Sequence, residues 1–353
     1  MRLLVLQSLF LLGAAAGAIS CGKTSRTEPA QQSSTAFLRG MTFAHEGYQG
    51  YNGYGGTTVG PSLDSLLSLN VNAIAIVPYT FMREATVVAE LPIPQRGGTE
   101  NDAAVISSIR EAHARKLTVL LKPQIWVGGA WPGAIDFASR EDWDTFFTHY
   151  TSWMLHYARM AEEEGVAALC IGTELVHTTL EHPDRWRRLI RHLREVYGGQ
   201  LTYAANWGRE FEQLSFWAEL DAIGLNAYYP LSASPDATDA ELLAGAAAWM
   251  RMADQISLAY GRPLWLTEVG YRSVARSWIE PHALPGDRAA DPVAQARCYR
   301  AMIAAAQDSR RLTGMFVWKW PSYLGYNARG GEDVGYVPGG KPAGHLLREY
   351  YQQ

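Results

Sequence analysis

The chain has 353 residues, 48% hydrophobic and 19% charged, with a formal net charge of −4. That balance is the one expected of a folded globular protein, and with no basic stripe along the chain it argues against a nucleic-acid partner. The length exceeds one ordinary domain, yet a barrel of alternating strands and helices takes about 250 residues or more.

Met1-Arg2 opens the chain with a positive charge, and Leu3 to Ala18 is apolar except for Gln7 and Ser8. A membrane-spanning helix needs about 20 such residues, so this shorter run reads as the apolar region of a signal peptide. It ends in Ala18-Ile19-Ser20-Cys21-Gly22, which looks like a bacterial lipobox with Cys21 as the lipidated N-terminus. The expected organisation is a lipoprotein signal peptide over 1–20, a flexible tether over 21–36 and a single barrel domain over 37–353. Lys23 to Thr35 is rich in Ser, Thr, Gln and Pro and too poor in apolar residues to pack. These features place the protein in the cell envelope, exported and periplasmic or surface-exposed, touching the membrane only through its N-terminal lipid. A monomer is expected.

From Phe37 onward, short β-branched runs alternate with longer helical patterns, the signature of a parallel sheet. Strands are predicted at 38–44, 71–77, 117–125, 166–172, 200–206, 220–226, 263–269 and 314–320. Between them, Ser139 precedes a long helical stretch, Thr238 and Glu241 have capping-box spacing, and Asp291-Pro292 puts Pro at a first helical position. Gly165 and Gly261 follow helices where a left-handed cap is expected. The count gives an α/β fold of the (β/α)₈ TIM-barrel type rather than an open sheet, and no GxGxxG follows the first strand. Cys170 in a strand and Cys298 in a helix read as two buried free thiols. No CxxC or His/Cys cluster marks a metal site, and no cofactor is expected.

Barrel enzymes carry their chemistry at the C-terminal ends of the strands. The fourth strand ends Ile171-Gly172-Thr173-Glu174 and the seventh Leu266-Thr267-Glu268, so two carboxylates can face one mouth. Such a pair suits a glycosidase, one carboxyl protonated as acid and one ionised as nucleophile. The structural alternative makes each a plain ion-pair partner of Lys122, Arg209 or Arg272. Other strand ends supply sugar-binding chemistry: Lys122 and Gln124, then Trp126 and Trp131 in a Gly-rich loop; Asn206-Trp207; Asn226-Ala227-Tyr228-Tyr229; and Trp318-Lys319-Trp320. Amides can bond hydroxyls, and indole faces stack on sugar rings. His45 and Glu46 close the first strand, followed by a loop from Tyr48 to Gly56 that is either a substrate rim or plain surface. His177 reads as a solvent or capping residue as readily as a site residue.

Taken together, Arg39-Gly40-Met41-Thr42-Phe43, Ile171-Gly172-Thr173-Glu174-Leu175, Leu225-Asn226-Ala227-Tyr228-Tyr229-Pro230, Thr267-Glu268-Val269-Gly270-Tyr271 and Val317-Trp318-Lys319-Trp320 resemble glycoside hydrolase family 113, as does Gly340-Lys341-Pro342-Ala343. The likeness covers nearly all of Phe37 to Tyr351. It implies a retaining enzyme, chiefly an endo-β-1,4-mannanase, whose partner is a β-linked polysaccharide or oligosaccharide. It further implies Glu174 as acid/base, Glu268 as nucleophile, Tyr228 as the nucleophile's orienting partner and Trp318 as floor of the −1 subsite. Most members of the wider clan carry Asn directly before the acid/base, bonding the sugar 2-hydroxyl, where this chain has Thr173. Either Thr173 or another residue, such as Asn206, makes that contact. Two other functions fit the same pattern: a hydrolase or transglycosylase for another β-glycan, and a catalytically silent glycan-binding lipoprotein, which would need neither Glu.

Overall fold

The computed structural model describes residues 36–44, 51–94, 101–327 and 333–353. The expected signal peptide, Cys21 and the expected tether over 21–36, apart from residue 36 itself, lie outside the described residues, as do His45, Glu46 and the Tyr48 end of the first loop. The described chain forms a closed parallel barrel: β1 (Leu38–Ala44), β2 (Ala73–Ile76), β3 (Thr118–Leu121), β4 (Ala168–Thr173), β5 (Gln200–Asn206), β6 (Ala222–Asn226), β7 (Leu264–Val269) and β8 (Leu312–Pro321). Ring order follows chain order, and β8 closes on β1 in parallel. This is the (β/α)₈ barrel expected from the alternation of runs.

One expected strand is corrected. The run 117–125 does not stay in the barrel: Thr118–Leu121 does, while Gln124–Val127 pairs in parallel with Tyr79–Met82 as a separate two-stranded sheet. Both departures follow a proline, Pro78 and Pro123, which cannot donate to a ladder. Alternation in this small sheet leaves Phe81 and Trp126 exposed and turns Thr80, Met82, Ile125 and Val127 inward.

The helix signals are realised in detail. Ser139 accepts from Asp142 N ahead of Arg140–Glu163, both halves of the Thr238/Glu241 capping box form, and Asp291 accepts from Ala294 N beside Pro292. Gly261 ends its helix at φ 65°. Cys170 and Cys298 are free and buried.

Two apolar bodies hold the barrel. The larger lies between strands and helices and includes Trp186, Trp217, Tyr157 and Phe146. The smaller takes period-two positions, among them Ala73, Ala75, Leu120, Ala168, Cys170, Ala204, Ala222, Trp265 and Phe316, and fills the barrel's interior. Small residues there make room for Trp265 and Phe316. The same inward faces, continued upward, deliver Lys122 after Leu120 and Asn226 after Ala222.

Candidate active site

The end of β7 is irregular. Leu225 faces Leu266 on β7, but Asn226 faces Glu268, so Thr267 is an extra residue in the ladder. Such a bulge re-aims the side chains beyond it. It brings Thr267 Oγ1 within 3.0 Å of Asn226 Oδ1 and turns Glu268 into the mouth. Glu268 is 6% exposed. Its Oε1 accepts from Lys122 Nζ at 2.5 Å and Gln124 Nε2 at 3.2 Å, and its Oε2 from the Tyr228 hydroxyl at 2.8 Å. Three donors, one cationic, thus complement a carboxylate. Burial and the neighbouring Glu268 charge push the Tyr228 phenol well above its ordinary range, so it stays a neutral donor.

The end of β4 is irregular too, with the register against β5 shifting between Cys170 and Thr173. Gly172 sits there because nothing larger fits: a Cβ would lie 2.7 Å from the Tyr203 ring and 2.8 Å from that of Trp186. Glu174 adopts φ 52°, unusual for a residue with a side chain, and its N–H is held by Ala204 O at 2.9 Å. Its Oε1 accepts from Asn226 Nδ2 at 3.1 Å and its Oε2 from Trp131 Nε1 at 2.7 Å. Burial, then the charge of Glu268, raises the Glu174 pKa; Trp131, Asn226 and Lys122 oppose the rise.

A third carboxyl lies behind Glu174. Glu210, 1% exposed, accepts from Thr179 and Tyr203 hydroxyls and from Asn206 N–H, each at 2.7 Å. The Tyr203 oxygen in turn accepts from Leu175 N–H at 2.7 Å, fixing the backbone next to Glu174. Burial pushes Glu210 up to about 7, against the pull of those donors.

Both mouth carboxylates line one cavity of about 580 Å³, a size ordinary for a ligand site. Gln124, Trp126, Thr173, Asn206, Trp207, Tyr228 and Trp318 line it as well, so the expected site residues come together with one exception. Lys122 does not line the cavity: it is completely buried under Glu268 and serves a carboxylate rather than a ligand. The ion-pair alternative was therefore half right, since Glu268 pairs with Lys122 while facing the cavity. His177 points elsewhere, exposed and paired with Glu181, and Arg209 bonds Gln213 at the surface. Tyr54, in the first loop, is buried and bonds Phe43 O at 2.6 Å, bracing the barrel rather than forming a rim.

Several lining residues carried no assigned place in the sequence reading. Asn226 was only a strand-end amide and Trp131 only a loop aromatic, yet both bond Glu174. Tyr79, His282 and Tyr336 gave no sequence signal, and Arg272 stood only as a possible ion-pair partner. In the fold the Arg272 guanidinium lies over the Tyr336 ring at 4.3 Å.

Residues 41–341 match glycoside hydrolase family 113. The chain belongs to that family. Solved members resemble it over most of their length. The β-mannanase of this family from Alicyclobacillus acidocaldarius, solved in complex with ManMIm, is 30% identical with a TM-score of 0.80, covering 90% of this chain and 97% of its own. A family 113 β-1,4-mannanase solved as a complex is 25% identical with a TM-score of 0.79, covering 90% and 99%. The endo-β-1,4-mannanase from Thermotoga petrophila, at 13% identity and a TM-score of 0.60 over 91% of this chain and 77% of its own, shares the fold. No curated protein matches the sequence. As a family 113 member the chain is a glycoside hydrolase, and its site is the cavity at the C-terminal ends of the strands, where barrel enzymes do their chemistry.

Proposed function

We propose that the chain is a retaining glycoside hydrolase that cleaves β-1,4-linked mannan or manno-oligosaccharides, with Glu268 as nucleophile and Glu174 as acid/base. The observation that carries this reading is the opposite setting of two carboxyls in one cavity. Glu268 has a buried cation and two neutral donors on it, whereas Glu174 is desolvated and pushed toward its protonated form. Glu268 attacks the anomeric carbon as Glu174 protonates the departing glycosidic oxygen. Glu174 then takes a proton from water, which hydrolyses the glycosyl ester on Glu268. The indoles of Trp318, Trp207 and Trp126 offer apolar faces to sugar rings along the cavity.

The two family members at 25–30% identity are β-mannanases, which supports mannan as substrate. For the 2-hydroxyl, which distinguishes manno- from gluco-sugars, the Asn206 amide is the better placed of the two candidates. Both residues line the cavity, but the Thr173 hydroxyl is buried beside the Cys170 thiol, whereas Asn206 is anchored through its backbone, whose N–H donates to Glu210.

Hydrolysis of β-1,4-mannan and manno-oligosaccharides by the wild type, Glu174→Gln and Glu268→Gln, with NMR of the first-formed anomer, tests the reading. The wild type is expected to release the β-anomer and both variants to lose turnover. An inverted product, or full activity in either variant, refutes it. The Cys21 lipobox supports attachment at the cell envelope, and labelled palmitate incorporated by the wild type but not by Cys21→Ser is the expected result there.

A further inference from the structure

Both oxygens of Glu174 already accept a hydrogen bond, Oε1 from Asn226 Nδ2 and Oε2 from Trp131 Nε1. An acid that protonates a glycosidic oxygen must present one of its oxygens to that atom, so the departing sugar comes up against one of these two donors. The two are not equally movable. Asn226 is 1% exposed, and its own Oδ1 accepts from Thr267 Oγ1 at 3.0 Å with Lys122 Nζ at 3.5 Å, so its amide is fixed from both ends. Trp131 is 43% exposed. It stands between Gln124–Val127 and the short turn Pro132–Ala134, two residues after Gly129, which is at φ 67° with open space where a Cβ would be. Its ring rests on bare backbone: a Cβ on Gly133 would lie 2.3–2.5 Å from three of its ring atoms. The contact that covers Oε2 is therefore made by an exposed ring on a glycine-flanked loop, while the one on Oε1 is built into the barrel.

We propose that Trp131 is a leaving-group arm: its indole N–H caps Glu174 Oε2 until substrate binds, and the sugar on the leaving side displaces it. The glycosidic oxygen then takes the place of the indole N–H, and the indole face packs on the displaced sugar's ring. The arm transfers no proton. The proton on Glu174 passes to the glycosidic oxygen as its bond to the anomeric carbon breaks, and water restores it when the ester on Glu268 is hydrolysed. This inference rests on the retaining glycosidase reading above.

The arm leaves a kinetic mark, because kcat/KM reports ionisations of the free enzyme and kcat those of the complex. Trp131, Asn226 and the Lys122 ammonium favour ionised Glu174, while burial and the charge of Glu268 oppose it; Tyr228 and Glu210 also face this centre. Trp131→Phe keeps a ring and removes the N–H, so Glu174 holds its proton to higher pH before substrate binds. With a soluble β-1,4-manno-oligosaccharide, the alkaline limb of kcat/KM is expected to move up by about one pH unit, the size of one hydrogen bond to a charged group. The alkaline limb of kcat is expected to stay, because the indole has already left. Gly133→Ala, whose methyl pushes the intact ring away, is expected to give the same one-sided shift. Equal movement of both limbs in Trp131→Phe overturns the arm, as do unmoved limbs in both variants. If the wild type fails to turn over the oligosaccharide with retention, the glycosidase reading falls and the arm with it; turnover with coupled limbs refutes the arm alone.

Discussion

At the end of β7 the Glu268 carboxylate receives a lysine ammonium, an amide and a phenol, whereas at the end of β4 the Glu174 carboxyl receives one amide and one indole. The Lys122 ammonium comes from the residue following β3, inside the barrel, and cannot leave without exposing a buried charge. The indole comes from an exposed loop. One carboxyl is thus held in place by partners built into the barrel, and the other has one of its two partners at the edge that meets substrate. The difference matches what the two steps require. A nucleophile must be charged and aimed before the substrate arrives, but an acid/base must lose a proton and regain it in each turnover. Identical side chains on two strands acquire different roles from the elements that supply their partners.

Removing each carboxyl should separate the two regions most sharply. Glu268→Ala leaves nothing to form the ester, and its loss of kcat/KM should exceed the roughly 10⁴-fold ceiling of acid–base catalysis whatever the leaving group. Glu174→Ala should lose about 10²–10⁴-fold on an oligosaccharide and far less on an aryl β-mannoside, whose phenolate departs unprotonated. Steady-state rates of both variants on both substrates check this. A loss in Glu174→Ala that is the same on the two substrates would erase the distinction.

How much of this was legible follows from what each feature depends on. The barrel was readable because burial on both faces writes each strand as an apolar run, and because Ser139, Thr238, Glu241 and Asp291 act through local bonds that spacing alone predicts. Glu174 and Glu268 were readable because they end such runs. Lys122 was placed at the sugar because it also ends a run. Period two from Leu120 turns it into the barrel instead, and the proline at 123 that sends Gln124 into a second sheet hides that parity in the sequence. Asn226 and Trp131 differ again. Their contacts with Glu174 join residues 52 and 43 positions apart and depend on bulges and loop paths that no local pattern encodes. Glu210 is one of several charges on the short helix Arg209–Gln213, and only the fold buries it behind β4 and β5.

Glu210 extends the comparison to stability. It lies on the Glu174 side, where burial holds protons, and its pKa rises from 4.5 to about 7. The folded state therefore binds this proton more tightly than the unfolded chain. The associated stability is fully present below about pH 4.5 and is lost as pH rises through about 7, by about 3 kcal/mol at most for a rise of that size. Denaturant unfolding of wild type and Glu210→Gln across this range should show the wild type's advantage shrinking toward neutral pH. A constant difference between the two proteins would mean that Glu210 carries no such linkage.

The smallest expected effect bears on whether the β7 side really is indifferent to the leaving group. Tyr228→Phe keeps the ring and removes the phenol that donates to Glu268 Oε2, leaving Oε1 with Lys122 and Gln124. A hydrogen bond to a charged group contributes about 1.5–3 kcal/mol, so kcat/KM should fall about 10- to 100-fold. Because this donor acts only on the attacking carboxylate, the fall should be the same for an oligosaccharide and an aryl β-mannoside. Trp131→Phe, acting through Glu174, should instead show its effect on the oligosaccharide and little on the aryl substrate. If Tyr228→Phe also loses activity only where the leaving group needs a proton, then Tyr228 serves both carboxyls and the two regions are one.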